Sequence, residues 1–228
     1  MGDAIDIERY LSRRDPDLGR AIAIVRAARG DVVRPPRPTD SPFQALVRAV
    51  IYQRSSEASG QTVFGKLEKV AGGKLTPANV AALSPARVEK VGMPLAKARY
   101  VKNVASWFVE NAGTARRLKT MSNQEIYDAL MGIVGLGTWS INVLLVFNLG
   151  RLDVEPAIDP VIRKIAQKIY GLDQFPSASF VSGKVAKWRP YRSIATMYLY
   201  QLGKLKVSAA EIRAGRTKVD LAAMRSGT

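Results

Sequence analysis

Two short stretches of this chain hold residue types that could do chemistry together. The first is Gly132-Ile133-Val134-Gly135-Leu136-Gly137-Thr138-Trp139, and the second is a lone carboxylate, Asp159, in Ile158-Asp159-Pro160. Gly135 and Gly137 bracket Leu136 between two helical patterns. Two glycines there allow positive φ and leave backbone N–H groups uncovered. A helix beginning at Thr138 adds the positive end of its dipole. Bare amides plus a helix N-terminus make a phosphate site without side chains. Leu136 is placed to plug the hairpin into a core. Taken alone, two glycines fit a plain turn between packed helices better than a phosphate grip. The charge of the chain and the carboxylate downstream reverse that preference.

Asp159, just ahead of Pro160, has the pattern of a helix N-cap. A capping aspartate is held rigidly, and the helix dipole favours its ionised form. Such a group suits a reaction in which positive charge develops nearby. Asp153 and Glu155 compete for the role, but they lie in a loop with no cap to position them. The chain has no histidine and no cysteine. Imidazole bases, thiol nucleophiles, disulfides, cysteine-ligated zinc and iron–sulfur clusters are thereby excluded. Acid–base work falls to Asp, Glu, Lys or Tyr.

The 228 residues, 47% of them hydrophobic, suffice for one sizeable core or two small lobes with a cleft between them. Thirty-five Lys and Arg against 19 Asp and Glu give a formal charge of +16. From Asp159 to Lys206 there are nine Lys/Arg, two Asp and no Glu. Such a surplus favours polyanions, nucleic acid before an anionic membrane. No basic amphipathic segment stands apart to make a membrane-surface protein, and the apolar run near Val143–Phe147 is too short to span a bilayer. The N-terminus lacks a signal-peptide pattern. A cytoplasmic, DNA-associated monomer is expected, or a nuclear one in a eukaryote.

The elements that must position these residues read as helices throughout. A capping residue followed by Pro marks starts at Asp15-Pro16, Ser41-Pro42, Ser84-Pro85 and Asp159-Pro160. Ser41 with Gln44 and Ser122 with Glu125 fit the capping box. Periodicity predicts helices over residues 42–71, 84–90, 96–111, 122–131, 138–149, 160–170 and 190–202, within about ten helices of an all-α fold. The helix from Thr138 is apolar nearly all round and is expected at the buried centre. Residues 32–38, Val-Val-Arg-Pro-Pro-Arg-Pro, read as an extended linker. The basic segment 206–228 reads as a tail that either adds a short helix or is disordered.

Four blocks in order resemble the helix-hairpin-helix (HhH-GPD) superfamily of DNA glycosylases, and within it the short form of the 3-methyladenine DNA glycosylase II family. They are Pro42-Phe43 through Ala49-Val50-Ile51-Tyr52-Gln53, Val91-Gly92-Met93-Pro94-Leu95-Ala96-Lys97-Ala98, the stretch from Gly132 through Gly150-Arg151-Leu152-Asp153 to Asp159, and Lys187-Trp188-Arg189-Pro190-Tyr191-Arg192-Ser193. The resemblance implies a bilobed all-α domain over residues 1–205, with its hairpin motif at about 122–149 and an interlobe active-site cleft. It implies flipping of a damaged base from double-stranded DNA and hydrolysis of its N-glycosidic bond. Alkylated purines, 3-methyladenine and 7-methylguanine, are the implied substrates.

By motif position Asp159 matches the family's catalytic aspartate. Trp139 stands where bifunctional relatives carry a lysine nucleophile. An indole forms no Schiff base, so a monofunctional enzyme is implied. Trp139, Tyr52, Tyr191 and Trp188 are the candidate base pocket, because aromatic faces attract a cationic purine by roughly 0.5–2 kcal/mol. For each the alternative is core packing, and for Trp188 core packing outweighs base contact. The DNA contacts implied are the hairpin residues Gly135, Leu136, Gly137 and Thr138, the turn Gln53-Arg54-Ser55-Ser56, and Arg163. Many relatives have Gln-Gln or Gln-Leu where this chain has Gln53-Arg54. The usual Leu or His wedge is absent, and Arg54 or Ser56 would replace it. No cofactor, metal-binding side chain or iron–sulfur cluster is implied beyond a monovalent cation on hairpin carbonyls. The rival readings are a non-catalytic hairpin DNA-binding protein and a glycosylase for etheno adducts, methylated cytosine, uracil or oxidised purines.

Overall fold

The computed structural model describes residues 4–34 and 39–215, and among them every regular element is helical. The chain begins with α1 (Ala4–Arg14) and α2 (Pro16–Arg29). It continues through α3 (Pro42–Tyr52), α4 (Glu57–Val70), α5 (Pro77–Ala82), α6 (Pro85–Glu89), α7 (Leu95–Glu110), α8 (Ala112–Arg117), α9 (Asn123–Leu130) and α10 (Thr138–Val143). It ends with α11 (Pro160–Ile169), α12 (Ala178–Val185), α13 (Arg192–Lys204) and α14 (Ala209–Ala214). A π-helical turn, Leu144–Asn148, extends α10.

Capping chemistry explains where these helices start. Asp15, Ser41, Thr76, Ser84 and Asp159 each accept a hydrogen bond from the first turn, and each is followed by Pro. Both expected capping boxes form, and Ser208 with Glu211 makes a third. The expected single helix over 42–71 is two helices. Arg54 takes a positive φ of 56° and Ser56 caps a fresh start, with its Oγ 3.2 Å from the N–H of Ser59. Of the linker, Val32–Arg34 is non-helical, and residues 35–38 lie outside the described residues. The expected tail begins within the fold: α14 packs on α2 and α11, while residues 216–228 lie outside the described residues.

The chain divides into two compact units, one of Pro36–Gly150 and one built from the segments before and after it. In the Pro36–Gly150 unit, α3 buries Phe43, Leu46, Val47, Val50 and Ile51 against α7, which buries Ala98, Val101, Val104, Ala105 and Phe108. Phe43 and Phe108 meet edge to face, with centroids 5.5 Å apart. The expectation for the helix from Thr138 holds: no residue from Thr138 to Leu149 is exposed. Its π turn is seen in the bond from Leu149 N–H to the Leu144 carbonyl, and the buried Asn148 amide donates to the Asp40 carbonyl at 2.8 Å.

The other unit forms around α13, which is buried from Arg192 through Leu199 and packs on α2 and α11. The fully buried Asp15 ties it together. Its carboxylate caps α2 and accepts hydrogen bonds from Tyr170 (2.6 Å) and the Trp188 indole (2.8 Å). Lys187 stands 3.2 Å away. Burial alone would push this carboxyl up. The donors Tyr170, Trp188 and Leu18 N–H, with the Lys187 charge, outweigh it and hold the carboxyl below its ordinary value.

Candidate functional site

The glycine hairpin lies between α9 and α10. Ile133 N–H bonds back to Leu130, and Leu136 N–H closes onto the Ile133 carbonyl at 3.0 Å. The two glycines do different work. Gly135 has φ of 107°, and a Cβ there would stand 2.2 Å from Cγ of Tyr100. Gly137 is extended, with φ of −144° and ψ of 179°, so the expected positive φ belongs to Gly135 and not to both. A Cβ on Gly137 would meet nothing within 4 Å. Gly137 is the N-cap of α10, and no side chain caps that end. The plug is Ile133, which is buried, whereas Leu136 is half-buried. Val134, 67% exposed, forms the tip.

Neighbouring side chains fix the hairpin. The Gln53 amide donates to the Gly135 carbonyl and to Ser140 Oγ, both at 3.1 Å, and Asn103 donates to the Val134 carbonyl at 3.0 Å. The carbonyls of Ile133, Val134 and Gly135 thus each accept a hydrogen bond. Side-chain donors hold the hairpin's shape. Among the described residues no group of three or more acidic side chains stands close enough to hold a metal ion.

Gln53 opens the turn to α4, and a residue outside the expected site holds that turn. The Lys97 ammonium donates to the Ile51 carbonyl at 2.8 Å, to the Gln53 carbonyl and to Ser55 Oγ at 3.1 Å. Its charge sits at the C-terminal end of α3, where the helix dipole favours a cation. Burial lowers the Lys97 pKa from its ordinary value. Within the turn Gln53 is engaged with the hairpin, Ser55 with Lys97, and Ser56 with its capping bond. Arg54 is exposed and held in the left-handed region, a conformation that costs a non-glycine residue about 1 kcal/mol or more.

Asp159 is the N-cap of α11, as expected. Its Oδ1 accepts the N–H groups of Val161 (2.7 Å) and Ile162 (3.2 Å), and its Oδ2 accepts the hydroxyl of Tyr200. The residue is only 6% exposed, yet its apolar neighbours Ile158 (41%) and Val161 (50%) are open to solvent. The rival carboxylates are occupied. Buried Arg192 grips Asp153 through Nε (2.5 Å) and Nη2 (3.1 Å), and Glu155 through Nη1 (2.5 Å). Ser193 fastens the same loop by its N–H to the Leu152 carbonyl (2.9 Å) and by its Oγ, which accepts Val154 N–H (3.1 Å). Asp153 and Glu155 therefore anchor the loop that delivers Asp159.

The four aromatic candidates separate. Trp188 has no exposed surface and donates to Asp15, so it leaves the base pocket; its indole N–H needs that buried acceptor. Tyr52 packs so closely on α4 that a Cβ at Gly60 would stand 2.3 Å from its ring, and its hydroxyl donates to Gln61 at 3.1 Å. Tyr191 lies edge-on to Tyr10, centroids 5.5 Å apart. Trp139 is half-buried in the first turn of α10. Arg163, expected on DNA, places its guanidinium 4.4 Å from the Phe175 ring centroid and donates from Nε to the Pro176 carbonyl at 2.9 Å. Sequence reasoning missed Lys97, Tyr200 and Arg192 as site-building residues. Lys97 and Arg192 sit inside the motif blocks, but their partners lie far away along the chain.

A helix, a glycine hairpin with an uncapped helix start, and an N-capping carboxylate on a later helix define a helix-hairpin-helix protein equipped for chemistry. The chain belongs to the HhH-GPD superfamily of base excision DNA repair proteins, whose family model matches residues 47–190. It is 27% identical over 202 residues to the alkylbase DNA glycosidase-like protein mag2 of Schizosaccharomyces pombe, covering 87% of this chain and 93% of that one. It is also 27% identical over 203 residues to DNA-3-methyladenine glycosylase 1 of the same yeast, covering 87% of each. The fold matches the solved S. pombe 3-methyladenine DNA glycosylase Mag1 in complex with abasic DNA, at a TM-score of 0.79 and 25% identity over 88% of this chain and 98% of that one.

Proposed function

We propose that the protein is a monofunctional DNA glycosylase that removes alkylated purines, 3-methyladenine and 7-methylguanine, and leaves an abasic site. Its family and the names of its S. pombe relatives support the substrate class. The observation that carries the reaction is the Asp159 carboxylate, buried at a helix start and held by the N–H groups of Val161 and Ile162 and the hydroxyl of Tyr200.

The target nucleotide must leave the stack, because the duplex hides its glycosidic bond. The C1′–N bond then breaks, and its electron pair leaves with the base. Alkylation has made the purine cationic, so it departs neutral without being protonated. The sugar is left oxocarbenium-like. An anion about 4 Å from that charge is worth about 4 kcal/mol at an effective dielectric near 20. Water adds to C1′, and its proton passes to Asp159 or to solvent.

The hairpin supplies the grip on the DNA backbone through its amides and the start of α10. Trp139, half-buried beside it, is the aromatic assigned to the base. Its indole carries no amine, so no covalent sugar adduct forms and the strand is not cut. Arg54 is assigned to the gap left by the flipped base, since its turn commits the other three side chains elsewhere.

The test is incubation with N-methylated duplex DNA and identification of the bases released. The expected result is 3-methyladenine and 7-methylguanine, with strands intact until alkali is added and nothing trapped by borohydride. Release of no base from methylated DNA, with or without activity on a parallel panel of uracil and oxidised-purine duplexes, overturns the assignment.

A further inference from the structure

The geometry points to Tyr200 as a positioning residue for the Asp159 carboxylate, a role that rests on the reading of Asp159 as the catalytic group. The two backbone donors of α11 both reach Oδ1. They fix one oxygen and leave the other to be oriented from elsewhere. The Tyr200 hydroxyl does this, donating to Oδ2 from α13, which packs on α11. The same helix holds the loop leading to Asp159 through Arg192 and Ser193. One element thus sets both the path of the backbone and the aim of the carboxylate.

Tyr198, two residues earlier, provides the contrast. It is fully buried, and its hydroxyl donates to Glu8 and accepts Val33 N–H at 2.9 Å, so its polar partners lie away from Asp159. Its contribution is to packing and stability.

The experiment compares Tyr200→Phe and Tyr198→Phe with the wild type in the full chain. The readouts are single-turnover release of 7-methylguanine, affinity for abasic-site duplex, and thermal unfolding. For Tyr200→Phe the release rate should fall about tenfold to a hundredfold, the rate equivalent of one hydrogen bond to a charged group, with abasic-DNA affinity within about twofold of wild type. For Tyr198→Phe the melting temperature should fall while the rate at saturating enzyme stays. A Tyr200→Phe rate that is unchanged or faster overturns the assignment. So does a joint loss of binding and rate that follows the melting temperature, because that is what a packing residue would give. A wild type that releases no base overturns the proposed function and this role together, whereas an active wild type with an unaffected Tyr200→Phe overturns this role alone.

Discussion

Gly135 and Gly137 are two residues apart, and substitution should separate folding from DNA binding. Gly135→Ala puts a methyl 2.2 Å from the Tyr100 ring and 2.3 Å from its Cβ, and a rotamer change cannot carry the Cβ away. It also forces a non-glycine residue to φ of 107°. Backbone strain of about 1–3 kcal/mol and overpacking of a similar size make about 3 kcal/mol a fair expectation. That is a large share of the roughly 5–15 kcal/mol by which domains are stable. Gly137→Leu places its side chain in open space on extended backbone, so its cost should stay under about 1 kcal/mol, mostly from a poorer N-cap. That side chain would cover the amides at the start of α10. Urea unfolding measures the first difference. Titration of abasic-site duplex across a salt series measures the second. Gly137→Leu should bind several-fold more weakly to all sequences alike, with the salt slope reduced by about 0.9 for each phosphate the protein no longer neutralises. A Gly135→Ala protein as stable as wild type would refute the steric reasoning. A stable Gly137→Leu protein that binds DNA normally would show that the hairpin is not the anchor.

Lys97→Met leaves the carbonyls of Ile51 and Gln53 without their donor, and should cost about 1–3 kcal/mol and weaken abasic-DNA binding. In an Arg54→Ala background its effect on binding should shrink, since both changes remove one presented side chain; a double-mutant cycle that finds additivity contradicts this. Asp15 provides a pH signature. Its folded pKa lies below the unfolded value of about 3.9, so its contribution is complete above that value and is lost as pH falls through the folded pKa. Asp15→Asn should be less stable than wild type near neutrality, and the gap should close below about pH 4; a gap constant down to pH 2 would remove Asp15 as the cause.

Local chemistry made most of this fold legible. Helix starts follow from Ser, Thr or Asp before Pro, and the buried run from Thr138 follows from its lack of a polar face. The break after Gln53 was hidden from periodicity because no Gly or Pro marks it. Arg54 adopts the left-handed region in a turn held by Lys97, which reaches the Gln53 carbonyl from 44 residues away. Asp159 was recognisable from its cap, but its advantage over Asp153 and Glu155 depends on Arg192, 37 residues beyond Glu155. For Trp188 core packing already outweighed base contact, and its partner Asp15, 173 residues away, is what holds it in the core. Tyr200 had no local signal, since its partner lies 41 residues back. Backbone conformation and caps are local properties, whereas the pairing of buried polar groups is not.

Asp159→Asn tests the central claim most directly. Asparagine is as good an N-cap as aspartate and can keep the bonds to Val161 and Ile162, so the fold should be retained while the charge is removed. The account predicts that 7-methylguanine release falls about a hundredfold or more, with abasic-site DNA bound about as tightly as by the wild type. Release at the wild-type rate by Asp159→Asn would contradict it.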